Sequence, residues 1–475
     1  MTNKERRKTK IICTIGPASE SPEIMEALVR SGMNVARLNF SYGTHEQHQR
    51  KIESLRQIAE QAKEPLAIFQ DLSGPKIRVG KVKPGGVELK RGSRFVLTNR
   101  EILGDEGGVS ITYPSLPSEV NPGDRILLSD GTIELQVLSS SKEEVQCQVM
   151  VGGVLTSHNG MNFPGGRIRA SAFTEKDHED LLFGIKKGVD FIGLSYVREA
   201  SEIERVKKVL KEYSADIPVI AKIERREALE NIDEIISISD GIMIARGDLG
   251  VETPIERISN IQKMLIRKAN ASGKPVITAT QMLRSMVDHT QPTRAEVTDV
   301  VNAIYDGTDA VMLSEETARG RFPVEALQMM VKIAQTAEEE FPHEKFLKRE
   351  TGVETDLPQA ISHVASLLAE GVGGVAIVTP TESGSTARWV SRLRPKQPIL
   401  ALSRHLSTVR RLSLYWGVYP LLVPDWKDTD DMLERSKRIP KELGIASKGD
   451  RIVIIAGVPI SIPGTTNLIK VEVVE

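Results

Sequence analysis

The stretch IPVIAKIERRE, residues 217–227, runs from strand-forming apolar residues into Lys222 and Glu224, opposite charges two positions apart. Alternate residues of a strand share one face, so both side chains leave its end on the same side. Taken alone, such a pair is more often a solvated ion pair than a catalytic one. Comparable residues end other apolar runs, however: Arg37, Asn39 and Ser41 after one, Asp71 after the next, then Gly247 with Asp248, and finally Thr280. Glu224 and Asp248 offer the oxygen ligands of a hard divalent cation that keeps several of its waters, and with no His or Cys nearby zinc is disfavoured. Lys222 and Arg37 place positive charge beside that cation, an arrangement suited to phosphate oxygens whose charge shifts during group transfer. Gly247 permits close backbone approach, and its amide can hold a substrate carboxylate if a helix begins there.

The elements that must position these residues are legible as eight short apolar runs: residues 11–16, 34–40, 66–72, 190–197, 217–224, 241–248, 275–281 and 309–316. Between them lie stretches of helical periodicity, such as Ile203, Val206 and Leu210, or Ile258, Ile261 and Leu265, and TEKD at 174–177 reads as a capping box. Alternation of this kind predicts a closed parallel (β/α)8 barrel, whose active site lies at the C-terminal ends of the strands. The pattern breaks after the third run, where KPGG, KRGS, NPGD and SDGT punctuate short apolar segments. That stretch predicts an inserted all-β domain, placed to act as a lid. A second α/β pattern begins beyond the charged run near residue 345, with strands expected at 374–379, 398–403, 419–423 and 450–457 and a last one in NLIKVEVV. The expected architecture is α/β: a (β/α)8 TIM barrel in residues 1–73 and 170–345, a small β-barrel lid domain in 74–169, and a C-terminal α/β domain in 346–475.

At 475 residues the chain is long enough for two to four domains. A hydrophobic share of 40%, a charged share of 27% and a formal net charge of -1 give no basic footprint for nucleic acid. Cys13 and Cys147 have no metal-ligand spacing and are too few for a disulfide framework, so they read as packing residues. The basic N-terminus leads into only a short apolar stretch, so neither a signal peptide nor a membrane span is expected and a cytoplasmic address follows by default. His45 and His48 read as an exposed helical face and not as a metal pair.

The segments TKIICTIGPAS, GMNVARLNFSYGTHEQH, DLSGPKIR, IAKIERREALENIDEII, ARGDLGVE, ATQMLRSM and PTRAEVTDVVNAIYDGTDAVMLSEETARG, in this order, resemble the pyruvate kinase family over nearly the whole chain. The resemblance implies phosphoryl transfer from phosphoenolpyruvate to ADP, giving pyruvate and ATP. It implies that Lys222 stabilises the transferring group, that Glu224 and Asp248 hold Mg2+ (or Mn2+), and that Gly247, Asp248 and Thr280 fix the substrate carboxylate, with Thr280 near the point of proton gain. Arg37 would contact the transferred phosphate, and Arg78, with Asn39, the nucleotide side. Asn39, Ser41, Asp71 and the carbonyl of Leu72 match the ligands of the monovalent cation that many members require. Members that need no potassium carry Lys at the position of Lys76, so activity without added K+ is expected here.

The sequence departs from the family in two further places. Asn159 stands where a lysine usually precedes the Gly-x-Asn motif of the lid, and Glu315 where a small residue is commoner. In the C-terminal domain Thr379, Thr381, Ser383, Gly384, Ser385 and Thr386 form either a phosphate cradle or an ordinary hydroxyl-rich loop before a helix. The family binds phosphorylated allosteric effectors at the corresponding loop. Because the facing segment 457–467 holds no basic residue, a single-phosphate ligand is preferred over a sugar bisphosphate. A homotetramer is expected by resemblance. The chain ends at Glu475, directly after the last expected strand, so the additional C-terminal domain of some bacterial members is not expected. The alternative is a Mg2+-dependent barrel aldolase or lyase acting on oxo acids, with Lys222 as a Schiff base.

Overall fold

The computed structural model describes residues 7–129, 131–165, 170–347, 356–459 and 465–475. Eight parallel strands close into a barrel: β1 (Lys10–Thr14), β2 (Val35–Asn39), β3 (Ala67–Asp71), β4 (Phe191–Leu194), β5 (Val219–Ile223), β6 (Gly241–Ala245), β7 (Val276–Ala279) and β8 (Ala310–Leu313), each paired with its neighbours in chain order and β8 with β1. The strands are runs of β-branched and small apolar residues, and the intervening helices bury a stripe against them. Helix Ala200–Glu212 buries Ile203, Val206 and Leu210 as its periodicity predicts. The box at Thr174 is formed, with Asp177 as its reciprocal partner, and matching boxes start helices His45–Ala62 and Arg294–Asp306.

Alternation along the strands explains how charge reaches the mouth. Ile12, Val35, Phe69, Ile220, Met243 and Ile277 belong to one buried apolar cluster. Two residues further along the same strands stand Thr14, Arg37, Asp71 and Lys222. A period of two keeps each on the face of its apolar neighbour, so the barrel lining passes from apolar to charged at its C-terminal end. The Asp71 carboxylate and the Arg37 and Lys222 cations are thereby buried by topology, not by chance.

Between β3 and β4 lies a six-stranded sheet in which Arg94–Thr98, Ile133–Ser140 and Glu144–Val151 are the longer strands, accompanied by a two-stranded sheet of Val87–Leu89 and Gly153–Leu155. Both share a core that includes Phe95, Leu97, Ile126, Leu135 and Cys147. Cys13 and Cys147 are both buried free thiols.

The C-terminal sheet contains β9 (Ala376–Pro380), β10 (Ile399–Ser403), β11 (Val418–Leu422), β12 (Arg451–Gly457) and β13 (Thr466–Val473) in the order β11-β10-β9-β12-β13. Only β13 runs antiparallel, against β12. This domain is tied to the N-terminal end of the barrel. Lys10 donates from Nζ to the Val418 carbonyl at 2.6 Å, the Gly417 amide donates to the Lys8 carbonyl at 2.9 Å, and Arg394 pairs with Asp309.

His343 sits in the same junction, its Nδ1 2.6 Å from the Arg394 carbonyl and its Nε2 3.3 Å from Lys8 Nζ. Burial, then the Lys8 charge, lowers its pKa from 6.5 to about 4. An unfolded chain therefore takes up this proton first, and the stability His343 contributes is complete above pH 6.5 and lost as pH falls through about 4. Urea midpoints measured at pH 7 and at pH 4.5 should differ less in His343→Gln than in the wild type; an equal difference would remove His343 from the account.

Candidate active site

Four charged side chains from three strands form one chain of contacts across the barrel mouth. Arg37 at the end of β2 donates from Nε to Asp71 Oδ2 at 2.7 Å and from Nη1 to Thr14 Oγ1 at 2.9 Å. Asp71, ending β3, lies 3.1 Å from Lys222 Nζ through its other oxygen, and Lys222 in turn lies 3.0 Å from Glu224 Oε1. Lys222 also donates to Ser195 Oγ at 2.7 Å, and Ser195 donates to the Leu72 carbonyl at 2.7 Å. Lys222 is only 8% exposed. Burial opposes its charge, yet Asp71 and Glu224 prevail and push its pKa above the usual lysine value. Burial likewise opposes the charge of Asp71, and the Lys222 and Arg37 cations hold its carboxyl below the usual range. The opposite charges at the tip of β5 are therefore a buried, mutually stabilised set.

Gly247 and Asp248 lie in the first turn of helix Arg246–Glu252, which begins directly after β6. A helix does begin there, but the Gly247 amide donates at 2.8 Å to Thr280 Oγ1, which itself donates to the Ala279 carbonyl at 2.6 Å. Thr280 and Gln281 both adopt left-handed backbone conformations, φ 68° and 57°, a strained choice for a β-branched residue. The strain turns the hydroxyl toward the helix start. Arg246 steadies the turn, donating to the Thr280 carbonyl at 2.9 Å and pairing with Asp299 at 2.6 Å.

Among the described residues no group of three or more His, Cys, Asp or Glu side chains could hold a metal ion. A pair of carboxylates is nevertheless the donor set that suits Mg2+, which retains waters and takes substrate oxygens as further ligands. Glu224 and Asp248 act on the same groups: both raise the pKa of Lys222 and both that of Tyr196. Glu224 is held from behind by the Tyr196 amide, 2.7 Å from Oε2. The residues present fit a hard divalent cation.

Asn39 and Asp71 are register partners at the ends of β2 and β3, and the Asn39 side chain accepts from the Ser41 amide at 3.1 Å. With Leu72 next in the chain, the four residues matched to the monovalent site are adjacent. Lys76 reaches the same region, its ammonium 5.5 Å from the centre of the Tyr42 ring. Burial, then the Lys222 and Arg78 cations, lowers its pKa against the opposing pull of Tyr42 and Asp248. The Arg78 guanidinium lies 5.8 Å from the centre of the same Tyr42 ring and donates to the His158 carbonyl at 3.3 Å. Asn159 accepts from the Thr156 amide at 2.6 Å and its hydroxyl at 2.9 Å, so it closes a turn of the insert.

In the C-terminal loop the hydroxyls divide. Thr381 accepts from the Gly384 amide at 2.9 Å, and Ser383 and Ser385 are paired at 3.3 Å. Thr379 is buried, directed at the Leu400 carbonyl, and Thr386 is buried against Thr466 at 2.7 Å. The facing segment falls partly on residues 460–464, outside the described residues.

Sequence reading missed Thr14, Ser195 and Tyr196, all at the charged end of the barrel. All three fall inside the expected runs 11–16 and 190–197, whereas the observed strands already end at Thr14 and Leu194; the available cue is that Ser195 and Tyr196 directly follow β4. His48, read as exposed, is instead buried: it stacks on Phe40 at 3.9 Å and its Nε2 lies 2.8 Å from the Tyr42 carbonyl. Glu315 gains a physical account, since Arg284 and Arg319 flank it at 2.6 and 2.5 Å.

Comparison with known proteins agrees with this geometry. The model of the pyruvate kinase barrel domain matches residues 6–327, and that of the pyruvate kinase alpha/beta domain matches residues 359–472. The chain is 48% identical to a pyruvate kinase of Geobacillus stearothermophilus over 99% of its own length and 81% of the relative's. It is 47% identical to one of Staphylococcus aureus strain MRSA252 over 98% of its own length and 80% of that relative's. With a closed barrel, a charged mouth of this composition and matches across both domains, the chain belongs to the pyruvate kinase family.

Proposed function

We propose that the barrel mouth transfers the phosphoryl group of phosphoenolpyruvate to ADP, giving pyruvate and ATP in the last step of glycolysis, with the roles divided as follows. Lys222 neutralises charge on the group in flight, and Arg37 binds its oxygens. Thr280 and the Gly247 amide orient the substrate carboxylate, Thr280 standing near the carbon that gains a proton. Arg78, with Asn39 behind it, faces the nucleotide. Glu224 and Asp248 hold Mg2+ or Mn2+, which when bound neutralises charge on the phosphate oxygens. Catalysis of this type is chiefly positioning and electrostatics. The observation that carries the reading is the buried Arg37–Asp71–Lys222–Glu224 chain at the end of the barrel where active sites lie.

An aldolase mechanism needs a neutral amine at Lys222, and two carboxylates beside that amine favour its protonated form. Borohydride trapping with pyruvate should leave Lys222 unlabelled.

Lys76 takes the place of K+ beside Asn39, Ser41, Asp71 and Leu72, its ammonium substituting for the ion. The loop of Thr381, Ser383, Gly384 and Ser385, flanked by Thr379 and Thr386, receives the phosphate of an activating metabolite with a single phosphate group. The reading includes a cytoplasmic homotetramer; among the described residues no helix is long and apolar enough to cross a membrane. A coupled assay of pyruvate formation tests these points together. The wild type is expected to be active without K+, Lys76→Glu to become potassium-dependent, and a sugar monophosphate or AMP to lower the apparent KM for phosphoenolpyruvate. No pyruvate from phosphoenolpyruvate and ADP at saturating Mg2+ would overturn the assignment; a strict K+ requirement in the wild type would overturn the role of Lys76, and activation by fructose 1,6-bisphosphate alone the choice of effector.

A further inference from the structure

Ser195 stands one residue past β4 and joins three strands at the charged end of the barrel. Its hydroxyl donates to the carbonyl of Leu72, one residue past β3, at 2.7 Å, and its oxygen accepts from Lys222 Nζ, on β5, at 2.7 Å. The Leu72 amide donates back to the Gly193 carbonyl at 2.9 Å, so Leu72 is tied to this segment through both its amide and its carbonyl. Packing confines the hydroxyl further. A Cβ at Gly74, φ 64°, would lie 3.0 Å from Ser195 Cβ. The next residue, Tyr196, turns into left-handed backbone, φ 57°, a conformation that residues with a bulky side chain seldom adopt. Its amide meets Glu224 Oε2 at 2.7 Å. Ser195 itself is 2% exposed, so the protein and not solvent sets its orientation.

The order of donors decides what this hydroxyl can do. An ammonium carries three protons and no lone pair, whereas a serine hydroxyl carries one proton and two lone pairs. The Ser195 proton goes to Leu72, which leaves the lone pairs for Lys222. Asp71 and Glu224 neutralise the ammonium at 3.1 and 3.0 Å, and Asp71 Oδ1 does so without an aligned hydrogen bond. Attraction between charges depends on distance alone, while a hydrogen bond weakens steeply as its angle closes. The two carboxylates therefore keep Lys222 charged, and the neutral hydroxyl gives the ammonium at the end of its flexible stem a direction.

We propose that Ser195 is a positioning residue for the transfer, its hydroxyl tying the Lys222 ammonium to the Leu72 carbonyl and so holding the positive charge in one place at the barrel mouth. This rests on the assignment of Lys222 to the transferring group. A hydroxyl in this role acts only through the ammonium it holds, so its contribution disappears when that ammonium is removed.

The test is steady-state kinetics of pyruvate formation by the full-length protein in a double-mutant cycle. Ser195→Ala is expected to lower kcat by about ten- to a hundredfold, the loss of a hydrogen bond to a charged group, and to move the KM for phosphoenolpyruvate by less than about threefold. In a Lys222→Gln background the same change should lower the residual kcat by less than about twofold. Ser195→Cys, which keeps the packing but offers sulfur, a weak acceptor, should fall with Ser195→Ala. A merely structural role would cut both backgrounds by the same factor and lower the urea midpoint with them. Equal factors in the two backgrounds, or a kcat within about threefold of the wild type in either Ser195 variant, overturn this inference and, with Lys222→Gln still collapsed, spare the role of Lys222. A Lys222→Gln enzyme as active as the wild type overturns both.

Discussion

Replacing Lys222 with Gln is expected to lower kcat for pyruvate formation by at least about 10³-fold while changing the KM for phosphoenolpyruvate by only a few fold. The asymmetry follows from where charge changes. On the proposed assignment, Arg37 and a cation held by Glu224 and Asp248 would match the phosphate oxygens in the ground state, and charge would shift toward Lys222 as the group transfers. The ammonium is already oriented there by Ser195 at 2.7 Å and by Asp71 and Glu224 at 3.1 and 3.0 Å. These contacts fix the position of the positive charge before transfer. Lys222→Arg should fail nearly as badly, since a planar guanidinium cannot meet three acceptors arranged around a point charge. Steady-state kinetics with a coupled assay measure both, and circular dichroism separates them from misfolding. A Lys222→Gln enzyme within tenfold of the wild-type kcat would show that the charge on this strand is structural.

Why this site was legible, and where legibility stopped, follows from the geometry of strands. A closed parallel barrel imposes two rules, alternation along each strand and function at one end, and both can be applied to a sequence without coordinates. The expected runs at 217–224 and 66–72 enclose the observed β5 and β3, and each ends in the residues that meet at the mouth. What alternation cannot supply is the contact between strands. That Lys222 would touch Asp71 two strands away depends on barrel curvature, and that Ser195 would join them depends on a turn just past β4. Tyr196 was hidden for a related reason: a left-handed backbone at a tyrosine has no local sequence cue, because tertiary contacts impose it. His48 was misread because helical spacing alone does not tell which face meets the barrel; the pairing of Phe40 with His48 across a loop determines it. The division of the C-terminal hydroxyls was equally invisible, since the burial of Thr379 and Thr386 is fixed by β10 and β13, which come later in the chain.

Replacing Arg394 with Met is expected to destabilise the protein by about 3–5 kcal/mol. Arg394 is 1% exposed and lies where the C-terminal domain meets the N-terminal end of β8. Its guanidinium pairs with Asp309 at 2.8 and 3.0 Å and donates to the Gly307 carbonyl at 2.7 Å and to Asn270 Oδ1 at 3.1 Å. Asp309 accepts further from the Val276 amide at 3.0 Å and the Trp416 amide at 3.2 Å, and the Trp416 ring lies 5.2 Å from the guanidinium. Removing the cation leaves a buried carboxylate with its charge uncompensated, which is why one deletion costs far more than the pair is worth. Asp309→Leu should cost a similar amount. The double variant Asp309→Leu with Arg394→Met should recover most of the loss, because neither charge is then stranded. Urea unfolding of the four proteins at pH 7 closes the cycle. If the double variant proves as unstable as the sum of the two single changes, the pair is not a coupled unit and the attachment of the C-terminal domain must reside in the Lys10–Val418 and Lys8–Gly417 contacts instead.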